Sequence, residues 1–159
     1  MSELHNRMKS KGFSLLEMLA VIALLAILFS IGIPSFMRGR INATAREEAR
    51  ELLADLQLAQ SYAKTAGSTA KLEWDNPKSE SPGYRVLDND GVVRKKKTFE
   101  SRIYADFSGW PGTSVEFYGN GSASHEGSIQ VKVRGAEGQK RFDYSIVKAT
   151  GLINFKEVN

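Results

Sequence analysis

Residues 13–33 read FSLLEMLAVIALLAILFSIGI, a run of 21 residues with a single charge, Glu17. As a helix this run is about 31 Å long, which matches the roughly 30 Å hydrocarbon core of a bilayer. A cleaved secretory signal has an apolar region of about 7–15 residues, closed by a small-residue cut site. This run is longer, and Pro34-Ser35-Phe36 follows it instead. A retained membrane helix is therefore expected. Its orientation is weakly marked, because Arg7, Lys9 and Lys11 precede the run and Arg38 and Arg40 follow it, so the positive-inside rule barely decides. An ionised Glu17 would cost about 2.5–3.5 kcal/mol at mid-bilayer. It lies one turn from the start of the run, where it can reach the headgroups at a smaller cost or await a cationic partner.

The rest of the composition narrows the function. The 159 residues suit one domain, or one domain with an appendage. Lys and Arg total 22 against 18 Asp and Glu, a net charge of +4, which permits nucleic acid as a partner without demanding it. With no cysteine, disulfide scaffolds, zinc ribbons and thiol nucleophiles are excluded. Two histidines, His5 and His125, leave little for a His-rich metal site or a catalytic triad.

Past Gly39 the pattern becomes amphipathic. Ile41, Ala45, Ala49, Leu52, Leu56, Ala59, Ala63 and Ala66 fall on one helical stripe. Arg46, Glu47, Glu48, Arg50, Glu51 and Asp55 lie between them as mixed surface charge. The Ala-rich stripe is expected to pack on the protein's own sheet, and Gly67 is a plausible stop. Pro34, with Gly32 and Gly39 around it, marks a kink or a locally melted turn in one long helix from Phe13 to about Ala66.

From Thr69 onward, short alternating runs are separated by turn residues. Strands are expected at Ala70–Trp74, Gly83–Leu87, Val92–Phe99, Val115–Tyr118 and Ser128–Arg134. Two more are expected through Phe142, Tyr144 and Ile146, and through Gly151–Phe155. Asp88-Asn89-Asp90-Gly91, Gly119-Asn120-Gly121 and Gly135-Ala136-Glu137-Gly138 are turn signals. Asn76–Ser81 and Ser101–Gly112 are expected to be irregular. The fold class is α+β: a long N-terminal helix packed on an antiparallel sheet or sandwich.

Lys11-Gly12-Phe13-Ser14-Leu15-Leu16-Glu17 resembles the prepilin processing motif of type IV pilins and type II secretion pseudopilins. The basic leader, the Gly, the Phe, the Glu four residues later, the apolar helix and a proline about twenty residues in (Pro34) all coincide. The resemblance implies cleavage by a prepilin peptidase between Gly12 and Phe13, and N-methylation of the new Phe13 amine. Gly12 offers a protease close backbone access. The cationic amine of one subunit could then neutralise Glu17 of its neighbour, a pairing worth far more in lipid than in water. That makes Glu17 and Pro34 assembly residues. The chain divides accordingly into a leader (1–12), a transmembrane and assembly helix (13–34), an amphipathic helix (35–67) and a β-rich domain (68–159).

The soluble part resembles the H-type minor pseudopilins. The resemblance rests on Ala45-Arg46-Glu47-Glu48-Ala49-Arg50-Glu51-Leu52, the helix end at Ala63–Gly67, Tyr84-Arg85-Val86, Phe117 to Gly121 and Thr150 to Ile153. Major type IVa pilins commonly carry a C-terminal disulfide loop, which a chain without cysteine cannot form. The resemblance implies other pseudopilins or pilins, the prepilin peptidase and inner-membrane lipid as partners. It places the anchor in the bacterial inner membrane with the C-terminal domain outside the cytoplasm.

Other chemistry is thin. Asp88–Gly91 could begin a calcium loop, but Phe99 stands where the twelfth-position Glu belongs, so a turn is favoured. Arg94-Lys95-Lys96-Lys97, with Lys140 and Arg141, could contact DNA phosphates, as related minor pilins of competence machines do. The same run also suits an edge strand guarded by lysines. Trp110 and Tyr104 could offer stacking surfaces, or serve the core. No catalytic, metal or cofactor site is expected, since no nucleophile–base pair emerges. The reading is a minor pseudopilin of a type II secretion pseudopilus, and the alternative is a minor pilin of a type IV pilus that binds DNA through its basic surface.

Overall fold

The computed structural model describes residues 14–75, 83–135 and 140–158. The chain divides into two compact units, Met1–Gly39 and Arg40–Asn159. One helix, α1 (Leu15–Ala66, 52 residues), contributes to both.

In the first unit, Ser14 starts the helix. The Leu16 amide donates to its side-chain oxygen at 3.2 Å, which satisfies one of the orphan donors of a helix N-terminus. Every described residue here is exposed, and the segment is long and apolar enough to cross a membrane. The melted turn expected at Pro34 is not formed, because α1 runs through it as helix. Proline withholds an i→i−4 hydrogen bond and its ring crowds the preceding turn, and α1 continues past it without a break.

In the second unit, eight strands follow α1 among the described residues. They are β1 (Ala70–Trp74), β2 (Gly83–Leu87), β3 (Val93–Thr98), β4 (Ile103–Asp106), β5 (Ser114–Phe117), β6 (Gly127–Val133), β7 (Arg141–Ile146) and β8 (Ile153–Val158). They form two four-stranded antiparallel sheets, ordered β3-β2-β1-β5 and β4-β6-β7-β8. β4 was not expected. It lies within Ser101–Gly112, and its inward residues are only Ile103 and Ala105, too short an alternation to stand out. The rest of that segment is not loose either. Phe107 stacks on Trp74 with ring centroids 4.0 Å apart, joining the two sheets. Trp110 is buried, and its indole donates to the Ser114 carbonyl at 2.8 Å, so it serves the core. The expected loop at Asn76–Ser81 and most of the turn at Gly135–Gly138 lie outside the described residues.

The alanine stripe packs as expected through its middle. Ala45, Ala49, Leu52, Leu56, Ala59 and Ala63 are all fully buried, in one core with residues of both sheets. The stripe frays at its ends, where Ile41 is half-buried and Ala66 exposed. The C-terminus closes as a Schellman motif. Gly67, at φ +62°, donates to the Lys64 carbonyl, and Ser68 donates to the Ala63 carbonyl. The left-handed backbone at Gly67 favours glycine.

Two polar ties draw α1 onto the second sheet. The Tyr144 hydroxyl donates to the Ala49 carbonyl. Arg46 grips the Glu157 carboxylate of β8 with two hydrogen bonds, at 2.7 and 3.2 Å, and Lys140 joins the same carboxylate. Arg46 and Lys140 together hold the Glu157 carboxyl down at about 2.

Two predictions follow from this packing. Ala49→Leu overfills the α1–sheet seam and should cost about 1–3 kcal/mol in urea unfolding of the full chain in detergent. Leucine at the exposed Ala54 should shift it by less than about 0.5 kcal/mol. Glu157 has a depressed carboxyl, so its contribution is present above the ordinary glutamate value of about 4.3 and is lost as pH falls toward about 2. Glu157→Gln should therefore be less stable than the parent at neutral pH, and the difference in melting temperature should close in acid.

Candidate functional site

The expected assembly segment begins at the membrane helix. Gly12 and Phe13, the expected cleavage and methylation positions, lie outside the described residues. Glu17 sits in the first turn of α1 and is exposed. A carboxylate there complements the positive end of the helix dipole. Pro34 lies within the continuous helix, also exposed.

The basic run lies on β3, at one edge of its sheet. Strand alternation divides it into two faces. Lys95 and Lys97 stand opposite Val86 and Tyr84 of β2, which are fully buried. They therefore point toward α1, where they meet carboxylates. Lys97 binds Glu51 at 2.6 Å, and Lys95 reaches Glu51 and Asp55, each at 2.9 Å. Asp55 also accepts a 2.7 Å hydrogen bond from the Tyr84 hydroxyl. Glu48, one helical turn before Glu51, accepts from the Glu100 amide at 3.1 Å. Glu48 and Asp55 are only 5% and 3% exposed. Both were expected among the surface charges of the helix, but they face the sheet.

The shifts follow from these contacts. The Lys97 and Lys95 ammoniums hold the Glu51 carboxyl below its usual range. The Glu51 bond holds Lys97 above its usual value despite burial. Burial opposes the charge on Lys95, but Glu51 and Asp55 outweigh it and raise Lys95 too. Burial and the bond to Asp55 push the Tyr84 phenol up.

The remaining basic residues are mostly paired. Arg94 binds Asp88 at 2.6 Å. That carboxylate also accepts the amides of Asp90 and Val92, which outweigh burial and lower it. Asp88–Gly91 is thus a closed turn, with Gly91 at positive φ. Lys140 binds Glu157, and Arg141 donates to Asp143 at 3.0 Å. Lys96 is exposed, on the face opposite Lys95 and Lys97. The six basic residues therefore do not converge on one open patch. A zwitterionic pair attracts phosphate far less than free cations do.

A second cluster unites two of the sequence features quoted above. Gln60 of α1 donates to the carbonyls of Gly121 and Gly151, at 2.8 and 3.1 Å. It joins the end of the Phe117–Gly121 segment to Thr150–Ile153. Gly151 has φ +61°, and a β-carbon there would run into the Gly121 carbonyl, so this crossing requires glycine. Gln60 was missed because no charge or periodicity marks it. Tyr118 and Leu152, 39% and 56% exposed, flank the crossing beside two open grooves.

Comparison with known proteins places these features. Residues 7–33 match the prokaryotic N-terminal methylation motif, and residues 48–149 match the model of type II transport protein GspH. No curated protein matches the chain. Two crystal structures of the Pseudomonas aeruginosa type IV minor pilin FimU share the fold, with TM-scores of 0.56 and 0.54 at 20% and 19% identity. Each covers 70% of this chain, and the match spans 87% and 91% of the FimU chains. The GspH match runs over more than half of the residues, from the buried middle of α1 to the turn before β8. The chain belongs to the type II transport protein GspH family, and its GspH domain follows an N-terminal methylation motif.

Proposed function

We propose that this protein is a minor pseudopilin of a type II secretion pseudopilus. A prepilin peptidase would cut it between Gly12 and Phe13 and methylate the Phe13 amine, and it would join the filament through its apolar helix. The observation that carries this reading is the union of the methylation motif with a GspH domain and an exposed apolar helix. An exposed apolar face of this size needs a non-aqueous surrounding. Lipid supplies it before assembly, and neighbouring helices supply it afterwards. Glu17 is the natural partner for the incoming Phe13 amine, since an isolated carboxylate in that surrounding is costly. The anchor spans the inner membrane once, with the β-rich unit outside the cytoplasm.

The fold likeness to FimU favours a second reading, a minor pilin of a type IV pilus. DNA contact is the weaker part of that reading. Of the proposed basic residues, Lys95 and Lys97 already neutralise α1 carboxylates, and Arg94, Lys140 and Arg141 have acidic partners of their own.

Deletion complemented in trans, scored for exoprotein secretion, surface pili and DNA uptake, separates the readings. Loss of secretion alone is the expected result, whereas lost piliation or uptake with normal secretion would favour the type IV pilus. Glu17→Ala should still insert into the membrane yet fail to enter filaments; normal incorporation would overturn its assembly role. For DNA, Lys96→Ala is the clean substitution, because it leaves the α1 ion pairs intact. If the basic surface binds DNA, that change should weaken binding and flatten its salt dependence by about one unit of slope. Unchanged binding would remove Lys96 from the contact.

A further inference from the structure

Large apolar side chains are exposed at few places in the second unit. Among its described residues they are Val92, Val93, Tyr118 and Leu152. Val92 and Val93 stand at the start of β3, just after the exposed carboxylate of Asp90. Leu152 lines one of the two grooves with Gln57, Lys64 and Ile153, and that groove has a cation and no carboxylate. Lys64 is exposed with no acidic partner among the described residues, and Asp90 is exposed with no cationic one. The other groove holds both Glu126 and Lys148, so it favours neither sign. Both apolar projections are held by their backbones. Val92 donates to the Asp88 carboxylate at 2.9 Å and accepts from the Asp88 amide at 3.1 Å. The Leu152 amide donates to the Thr150 hydroxyl oxygen at 3.2 Å, and its carbonyl accepts from the Val147 amide at 3.0 Å. A surface fixed in advance loses little entropy on binding.

The two sites stand at one level, on opposite flanks of α1. Lys97 meets Glu51 and Lys95 meets Asp55, so Val93, two strand residues further, falls at the level of about residue 59. The groove spans the same level, from Gln57 to Lys64. Lys64 is nine residues past Asp55, about two and a half turns, which puts it on the opposite side of the helix. Copies inserted in one membrane through the apolar run carry α1 in the same direction, so the β3 flank of one can face the groove flank of the next. We propose that a second copy of this chain docks here. The Asp90–Val93 segment of one copy enters the Lys64–Leu152 groove of its neighbour, with Asp90 beside Lys64 and the valines against Leu152. The pairing is heterologous, since each copy contributes a different site. Pairing like sites would set Lys64 on Lys64 or Asp90 on Asp90, and these repel. A contact of so few side chains is smaller than a stable complex in solution needs. Confinement to a membrane supplies the missing local concentration. The contact adds no strand to either sheet and does not depend on which machine the chain serves.

The chain has no cysteine, so introduced thiols report this contact directly. Two full-length versions, Val93→Cys and Leu152→Cys, one of them carrying a size tag, are expressed together in one membrane and oxidised. Every position to be changed is exposed, so the fold should hold. Disulfide-linked dimers between the two versions should exceed those formed by either version alone. Adding Asp90→Lys to the first version, or Lys64→Glu to the second, should cut the mixed dimer by about fivefold. Making both changes together should restore it, which a merely unfolded variant would not do. Absence of the mixed dimer would overturn the proposal, as would an equal yield from either version alone. A loss that the charge swap does not reverse, or adducts formed only with other proteins, would overturn it too.

Discussion

Close approach of one helix to two sheets is the constraint on which the globular unit depends. Ala45, Ala49, Ala59 and Ala63 are all fully buried, and their small side chains bring the α1 backbone down onto the strands. That proximity lets the Tyr144 hydroxyl reach a backbone carbonyl of the helix. It also sets Tyr84 against Asp55. A larger stripe would hold the helix off, and these short polar contacts would open together. The larger residues Leu52 and Leu56 sit between two pairs of alanines, all fully buried, so the seam combines small and large side chains as close packing requires.

The same helix helps to control the sheet edges. Each sheet has two edge strands, and an unpaired edge invites association with another chain. β4 and β5 are four residues each, too short to template much pairing. β3 and β8 are longer, and each carries inward-pointing charge. Lys95 and Lys97 on β3 and Glu157 on β8 all end on residues of α1. The charges that guard the edges thus also fasten the outer strands to the helix. A unit with all four edges managed in this way is poorly disposed to join neighbours by strand addition. In the proposed filament, subunit association would then fall to the exposed apolar part of α1.

Much of this was legible in the sequence because it rests on periodicity and on residues with one main use. The apolar run, the alanine stripe and the cap at Gly67 could be read directly, as could seven of the strands. β4 was not, because Ile103 and Ala105 are its only inward side chains. Glu48 and Asp55 were placed on the surface because charge within a helix usually is solvated. Their burial depends on distant partners, the Lys95 ammonium for Asp55 and the Glu100 amide for Glu48, pairings that only the fold creates. The clue lay in Lys95 and Lys97, whose spacing of two puts them on the face of β3 that should have been apolar. The run read as possible DNA contact was in part the counter-charge for the helix. Gln60 left no trace, because an amide between two buried alanines looks like any other polar helix residue.

The ion ladder is better understood as a device for register than as a source of stability. Taking charges out of water costs about as much as pairing them returns, and Lys95, Lys97 and Glu51 keep part of their hydration. Geometry is what the ladder supplies. Four residues of helix rise about 6 Å, and two residues of strand rise about 6.7 Å. Glu51 and Asp55 therefore keep step with Lys97 and Lys95. Sliding β3 by one residue would turn Lys95 and Lys97 away from α1 and break their three ion pairs with Glu51 and Asp55. The register matters most where the sheet itself is irregular, and β2 and β3 shift register between Val86 and Leu87. Beside that irregularity the backbone ladder alone fixes the strand weakly, and the lysines pin it from the helix side.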